Sequence, residues 1–183
     1  MAVEQTQIPD VLIYTPPIFK DDRGYFFESY NQTVFQKETG LDIQFIQDNQ
    51  ALSSKNVLRG LHFQFAPKAQ TKLVRVIQGS IWDIAVDLRA DSTTFGQWVG
   101  VELSDENRKQ ILVPKGFAHG YAVLSETAVV AYKCDELYDK THESGIFYLD
   151  TNLAIDWKIN LEEAIISDKD KVLAAFDADK KYF

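Results

Sequence analysis

Only one cysteine, Cys134, occurs in the 183 residues, so no disulfide can form within the chain. A reducing compartment, the cytoplasm, is the expected setting. No apolar run approaches the ~20 residues that a membrane helix needs. The stretch from Met1 to Asp10 lacks a basic start followed by an apolar segment, so no signal peptide is expected. Basic residues are scarce: 19 Lys and Arg against 27 Asp and Glu give a net charge of −8. The basic footprint of a nucleic-acid binder is therefore missing. An anionic ligand would need a local cluster of Arg and Lys to overcome that field. Without such a ligand, the charge means only solubility. No glycine-rich G-x-G-x-x-G turn is present, which argues against a nicotinamide cofactor. Repeats, low-complexity segments and linkers are also lacking, so 1–183 is expected to be one domain.

What the chain does have is a series of short β-rich runs broken by turn residues, the pattern of an all-β sandwich or barrel. The expected strands are Val11–Thr15, Gly24–Tyr30, Ile43–Ala51, Val57–Gln64, Lys72–Gln78, Ser80–Leu88, Gln97–Leu103, Gln110–Val113, Ala118–Leu124 and Ala128–Leu137. Gly79 marks one hairpin and 104–107 another. Asn31 is placed to cap a short helix that stops at Gly40. The tail from Asn160 reads as one or two short helices. Closed or double-sheet β folds can hold a ligand inside, so inward polar residues are the ones that bear on function.

There are three histidines, His62, His119 and His142. A lone strand histidine is more often structural than functional. His62 and His119, however, each lie near glycine in apolar strands. Lys72 and Tyr132 sit in alternating strands, where a solvent-facing position serves equally well as a reading. Asp83 and Asp87 share a strand face by period two and are expected to be exposed. Gln47 and Asn49 also share a face. Arg23 could fork a phosphate, while Phe26 could equally be core. Ser167 through Asp170 matches a capping box, with Asp170 in the usual Glu position.

Pro114-x-Gly116-x-x-His119 has the spacing of the second cupin motif. The first cupin motif would supply a metal-binding His-x-His and a following Glu, but here the chain reads His62-Phe63-Gln64, with no Glu before Gly79. Two His and an amide fall short of a zinc or iron ligand set, so no metal is expected. Taken together, the motifs resemble the dTDP-4-dehydrorhamnose 3,5-epimerase family. The resemblance is carried by Asp22 to Tyr30, Gln47 to Asn49, Val57 to Gln64, Lys72 to Arg75, Phe95 to Trp98, Pro114 to Gly120, and Tyr132-Lys133. It implies a double-stranded β-helix, the cupin jelly-roll barrel, with short peripheral helices mainly at the C-terminus. It also implies a dTDP-4-keto-6-deoxy sugar as substrate, no cofactor, and a homodimer whose N-terminal segment reaches the partner's site. By the same resemblance His62 is the base, oriented by Asp170; Tyr132 is the acid; and Lys72 stabilises the enolate. Arg59 and His119 would contact the diphosphate. Arg23, Phe26, Glu28, Gln47 and Asn49 would line the nucleotide or sugar site, with Phe19 and Tyr138 near the thymine.

The chemistry suits these roles. Protons at C3 and C5 flank the C4 ketone, so losing either one gives an enolate and no hydride moves. A histidine near neutral pKa is a suitable base for this step. A preorganised cation is suited to the enolate. Competing readings are a single-centre epimerase, a 3,4-ketoisomerase, a metal-dependent cupin, and a cupin that only binds. One geometric tension remains. By strict alternation Arg59 and His62 face opposite sides of their strand, and they reach one ligand only through a bulge, which Gly60 permits, or if Arg59 sits at the strand end; in a regular strand Arg59 would be a structural ion-pair residue.

Overall fold

The computed structural model describes residues 2–183; Met1, the first residue of the expected domain, lies outside them. Two sheets face each other. One carries six strands in the order β1 (Ala2–Gln5), β2 (Leu12–Thr15), β10 (Gln110–Val113), β7 (Lys72–Gln78), β12 (Thr127–Cys134) and β5 (Gln47–Ser54). The other carries five, in the order β13 (Glu143–Gly145), β6 (Leu58–Gln64), β11 (Phe117–Val123), β8 (Ser80–Asp87) and β9 (Trp98–Ser104). A separate two-stranded ribbon pairs β3 (Phe19–Asp21) with β4 (Gly24–Phe26). The expected all-β jelly roll is the observed fold.

Period-two alternation builds the core between the sheets. Val74 and Val76 of β7, Ile81 and Ala85 of β8, Val123 of β11, and Ala128 and Val130 of β12 form one buried cluster there. The outward residues of the five-stranded sheet, including Leu61, Ile84, Val86 and Ala118, are covered by the C-terminal segment through Trp157, Phe176 and Tyr182. The helix α1 (Gln32–Thr39) buries Phe35 against Tyr14, Leu73 and Leu112 on the outer face of the six-stranded sheet. As expected, Asn31 caps α1 through Val34 N–H, and Gly40 ends it with φ of 72°.

Several boundaries differ from expectation. The run Gly24–Tyr30 is a strand only as far as Phe26, because its sole partner is the three-residue β3. Ile43 and Phe45 do not join the ladder; they pack beside α1, and β5 begins at Gln47. The short strands β1, β3 and β13 carry too few residues to show a period. The largest correction concerns Asp83 and Asp87, which are fully buried. Alternation turns Asp83 inward with Ile81 and Ala85, and Asp87 is held by Arg89, Ser92 and Thr94.

The β6–β11 ladder contains a bulge, the first of the two alternatives open for Arg59. His62 pairs with His119 and Arg59 with Tyr121, so three steps on β6 face two on β11. The extra residue returns Arg59 and His62 to the same inward side. Gly60 sits in the bulge with φ of 119°, and a Cβ there would lie 2.6 Å from Gly120 Cα and 2.8 Å from the His119 carbonyl oxygen. Left-handed strain costs about 1–3 kcal/mol for a non-glycine residue, and the clash adds to it. Gly60→Ala should therefore lower stability in urea unfolding by about 3 kcal/mol or more. A loss below about 1 kcal/mol would show that the bulge needs no glycine.

Candidate active site

The inward positions of both sheets converge on a cavity of about 460 Å³, whose walls include Arg59, His62, Lys72, His119, Tyr121, Tyr132 and Asp170. A second hollow, lined by Gln47, Asn49, Tyr138 and Glu143, shares His62, Lys72 and Tyr132 with the first. Lys72 and Tyr132 therefore belong to the interior, and the solvent-facing reading of these two residues is corrected. Lys72 lies on β7 with inward Val74 and Val76, and Tyr132 on β12 with inward Val130. His62, by contrast, comes from β6 in the opposite sheet.

Asp170 arrives from the tail. Leu58 N–H donates to the Ile165 carbonyl at 3.0 Å and Ile165 N–H to that of Asn56 at 2.9 Å, which pins the tail along β6. The short helix α2 (Asp168–Lys171) follows, and its first turn is capped by the Ser167 hydroxyl, which accepts from Asp170 N–H. The expected cap is observed at the Asp170 backbone, and its side chain is turned to His62. The carboxylate meets His62 Nε2 at 2.6 Å and accepts from Gly60 N–H at 3.2 Å. Burial pushes its pKa up, but the His62, Gly60 and Ser167 hydrogen bonds outweigh burial and hold it below the usual carboxylate range. With Nε2 engaged by Asp170, the lone pair of His62 available for proton transfer is on Nδ1.

Burial shifts the other two groups in opposite directions. It lowers the pKa of the Lys72 ammonium and raises that of the Tyr132 phenol, which keeps the phenol protonated at neutral pH. His119 is buried, and its Nε2 is 2.9 Å from Asp83 Oδ2, so any ligand contact falls to the rest of its ring. Asn49 Nδ2 donates to the Sγ of Cys134, whose thiol burial pushes up to about 11. Among the described residues no group of three or more His, Cys, Asp or Glu is placed to hold a metal ion.

Gln47, Asn49 and Tyr138 form a connected wall. Tyr138 N–H donates to Gln47 Oε1 at 2.9 Å, and Gln47 Nε2 donates to Asn49 Oδ1 at 3.0 Å. The Tyr138 phenol donates to Glu143 Oε2, which also takes Lys169 at 2.6 Å. Sequence reasoning missed Glu143 and Lys169, because neither lies in a patterned strand and only the fold brings them to the cavity. Arg59, Lys72 and Lys169 make the cavity wall cationic inside a chain of net charge −8. Phe19, Arg23 and Phe26 are not brought to this cavity. They line a separate hollow within the exposed ribbon, where Arg23 pairs with Asp21. Glu28 is exposed near α1 and accepts from Asn31.

A carboxylate-held imidazole on one sheet, facing a phenol and an ammonium on the other, defines an enzyme site for moving protons at carbon within a jelly-roll barrel. Comparison with known proteins narrows the class. The family model of dTDP-4-dehydrorhamnose 3,5-epimerase matches residues 5–178. An enzyme of that name from Shigella flexneri is 50% identical over 170 residues, covering 93% of each chain. The crystal structure of the Elizabethkingia anophelis epimerase superposes with a TM-score of 0.93 at 50% identity, covering 100% of this chain and 99% of that one. The Legionella pneumophila dTDP-6-deoxy-D-glucose-3,5-epimerase, solved with dTDP-4-keto-L-rhamnose, gives a TM-score of 0.91 at 46% identity, covering 95% and 92%. The chain belongs to the dTDP-4-dehydrorhamnose 3,5-epimerase family.

Removing the charge of Asp170 should cost turnover and shift acid stability. Asp170→Asn is expected to lower kcat about 10²-fold or more, with less change in KM. Because the folded-state pKa of Asp170 is depressed, its stabilising contribution is complete above the unfolded value of about 4 and is lost as pH falls through the lower folded value. The stability gap between wild type and variant, measured by urea unfolding, should therefore be full at pH 7 and close below about pH 4. A gap independent of pH would refute a stabilising role for the Asp170 carboxylate.

Proposed function

We propose that this chain inverts C3 and C5 of dTDP-4-dehydro-6-deoxyglucose to give dTDP-4-dehydro-L-rhamnose, using His62 as base and Tyr132 as acid. The observation that carries the assignment of roles is the placement of these two side chains on opposed sheets of one cavity. The C–H electron pair enters the C4 ketone as the proton passes to His62 Nδ1, and the resulting enolate oxygen lies with the Lys72 ammonium. Tyr132 then returns a proton from the other wall, and the configuration inverts. Asp170 stabilises the imidazolium formed in the first step. Arg59 and His119 are assigned to the diphosphate, and Gln47, Asn49 and Tyr138 to the nucleotide end. No hydride or redox partner enters this balance. Residues 1–183 act as one catalytic domain, with the cytoplasm as its compartment, a reading that the single cysteine supports. No described helix is long and apolar enough to cross a membrane.

Proton NMR of the substrate in D₂O tests the chemistry. Wild type should place deuterium at both C3 and C5. His62→Ala should lose at least ~10³-fold in exchange at both carbons. Tyr132→Phe should retain exchange within about tenfold while product formation collapses. Wild-type exchange at one carbon would mean a single-centre epimerase, and full exchange by His62→Ala would remove His62 from the role of base.

The homodimer is part of the same proposal. Phe19, Tyr25 and Phe26 are more than half exposed on a ribbon that two strands alone hold poorly. Their distance from the His62 cavity is explained if Phe19, Arg23, Phe26 and Glu28 serve the site of a second copy. Arg23→Ala and His62→Ala, each defective alone, should then complement. An equimolar, reassorted mixture should regain about a quarter of wild-type turnover, because half the dimers are mixed and each has one intact site. No recovery on mixing would place the ribbon in its own chain's site or in none.

A further inference from the structure

Tyr121 on β11 takes no part in the roles assigned above, yet it lines the main cavity and is only 5% exposed. Its ring is accounted for by packing in the inter-sheet core. Its hydroxyl is not: the oxygen is buried and has no hydrogen-bond partner. A phenylalanine would fill the same volume without burying an unpaired polar group, so the hydroxyl calls for a separate reason. The neighbouring Ser53 hydroxyl accepts from Arg59 Nε at 3.1 Å and makes no hydrogen bond of acceptable geometry with the Tyr121 oxygen. In the sheet, Tyr121 is flanked by Arg59 of β6 and Asp83 of β8, and the bulge at Gly60 puts Arg59 and Tyr121 in direct register. An acceptor oxygen drawn to the Arg59 guanidinium would therefore arrive beside an unused donor.

We infer that the Tyr121 hydroxyl is a substrate-binding donor, bonding a ligand oxygen held beside Arg59 at the glycosyl-diphosphate end of the site. The inference rests on the sugar-nucleotide reading above and adds a residue to it. A diphosphate oxygen and a sugar oxygen are both acceptors, and a phenol donates to either. The bond also gives the buried hydroxyl, unpaired in the free protein, its partner in the complex.

Tyr121→Phe removes one oxygen and keeps the ring, so the fold should persist with a melting temperature equal to or above wild type. Calorimetric titration with dTDP and with dTDP-glucose, neither of which needs to turn over, gives the readout. The Kd for dTDP-glucose should rise about tenfold or more, the loss expected for one hydrogen bond to a charged or well-aligned polar acceptor. A matching rise for dTDP places the acceptor on the diphosphate, whereas a rise confined to dTDP-glucose places it on the sugar. Kd values for both within twofold of wild type would show that solvent serves the hydroxyl, and would overturn the assignment alone. Failure of wild type to bind either compound would overturn the sugar-nucleotide reading and this assignment with it.

Discussion

The site depends on one extra residue in β6. A regular strand would send Arg59 and His62 to opposite faces, and the outer face of that sheet is occupied by the C-terminal segment. The bulge at Gly60 returns both to the interior, and it also frees a backbone N–H from the ladder. Asp170 takes that N–H at 3.2 Å while holding His62 at 2.6 Å. The same irregularity thus aims His62 into the cavity and anchors the carboxylate paired with it. It requires close backbone contact with Gly120, which is why two glycines face each other across the strands.

The second constraint is the sharing of one interior between a core and a polar site. At one end the two sheets meet through Val, Ile and Ala side chains. At the other, the same alternating positions carry His62, Lys72, His119 and Tyr132. Buried polar groups are costly unless they are paired, and the two histidines are. His62 and His119 each hold a carboxylate, and Asp83 is buried only together with His119. Lys72 differs: its ammonium enters no ion pair among the described residues, and burial depresses its pKa. On the proposed mechanism, an enolate beside Lys72 would supply the negative charge that its own chain does not.

Much of this was legible in the sequence because it follows from period two. The alternation in β7 and β12 puts Lys72 and Tyr132 on one side of their strands, but the pattern alone does not say which side is the interior. That ambiguity left the solvent-facing reading open for both, and it led to the wrong expectation for Asp83 and Asp87. The pairing of Asp170 with His62 spans 108 residues, and no local pattern reaches that far; within the chain the visible signal was only a helix cap. Glu143 and Lys169 were missed for the same reason. The resemblance to a family supplied roles that the local pattern could not, and the fold supplied the contacts that the resemblance left unstated.

The ribbon of residues 19–26 makes the strongest case that the catalytic unit is larger than one chain. Phe19 and Phe26 are more than half exposed, the Tyr25 ring carries the Arg108 guanidinium 4.4 Å from its centre, and Arg23 pairs with Asp21, a neighbour in the same turn. Such an exposed apolar finger is a poor structural element and marks a surface for interaction. The cavity itself has Arg59, Lys72 and Lys169 on its walls and a chain of net charge −8 around it. Added Arg23 would extend the positive strip toward the nucleotide end, where Tyr138 is half-exposed. On the dimer reading, Arg23 of one copy would add to the charge of the other copy's cavity wall and Phe19 and Phe26 to its shape.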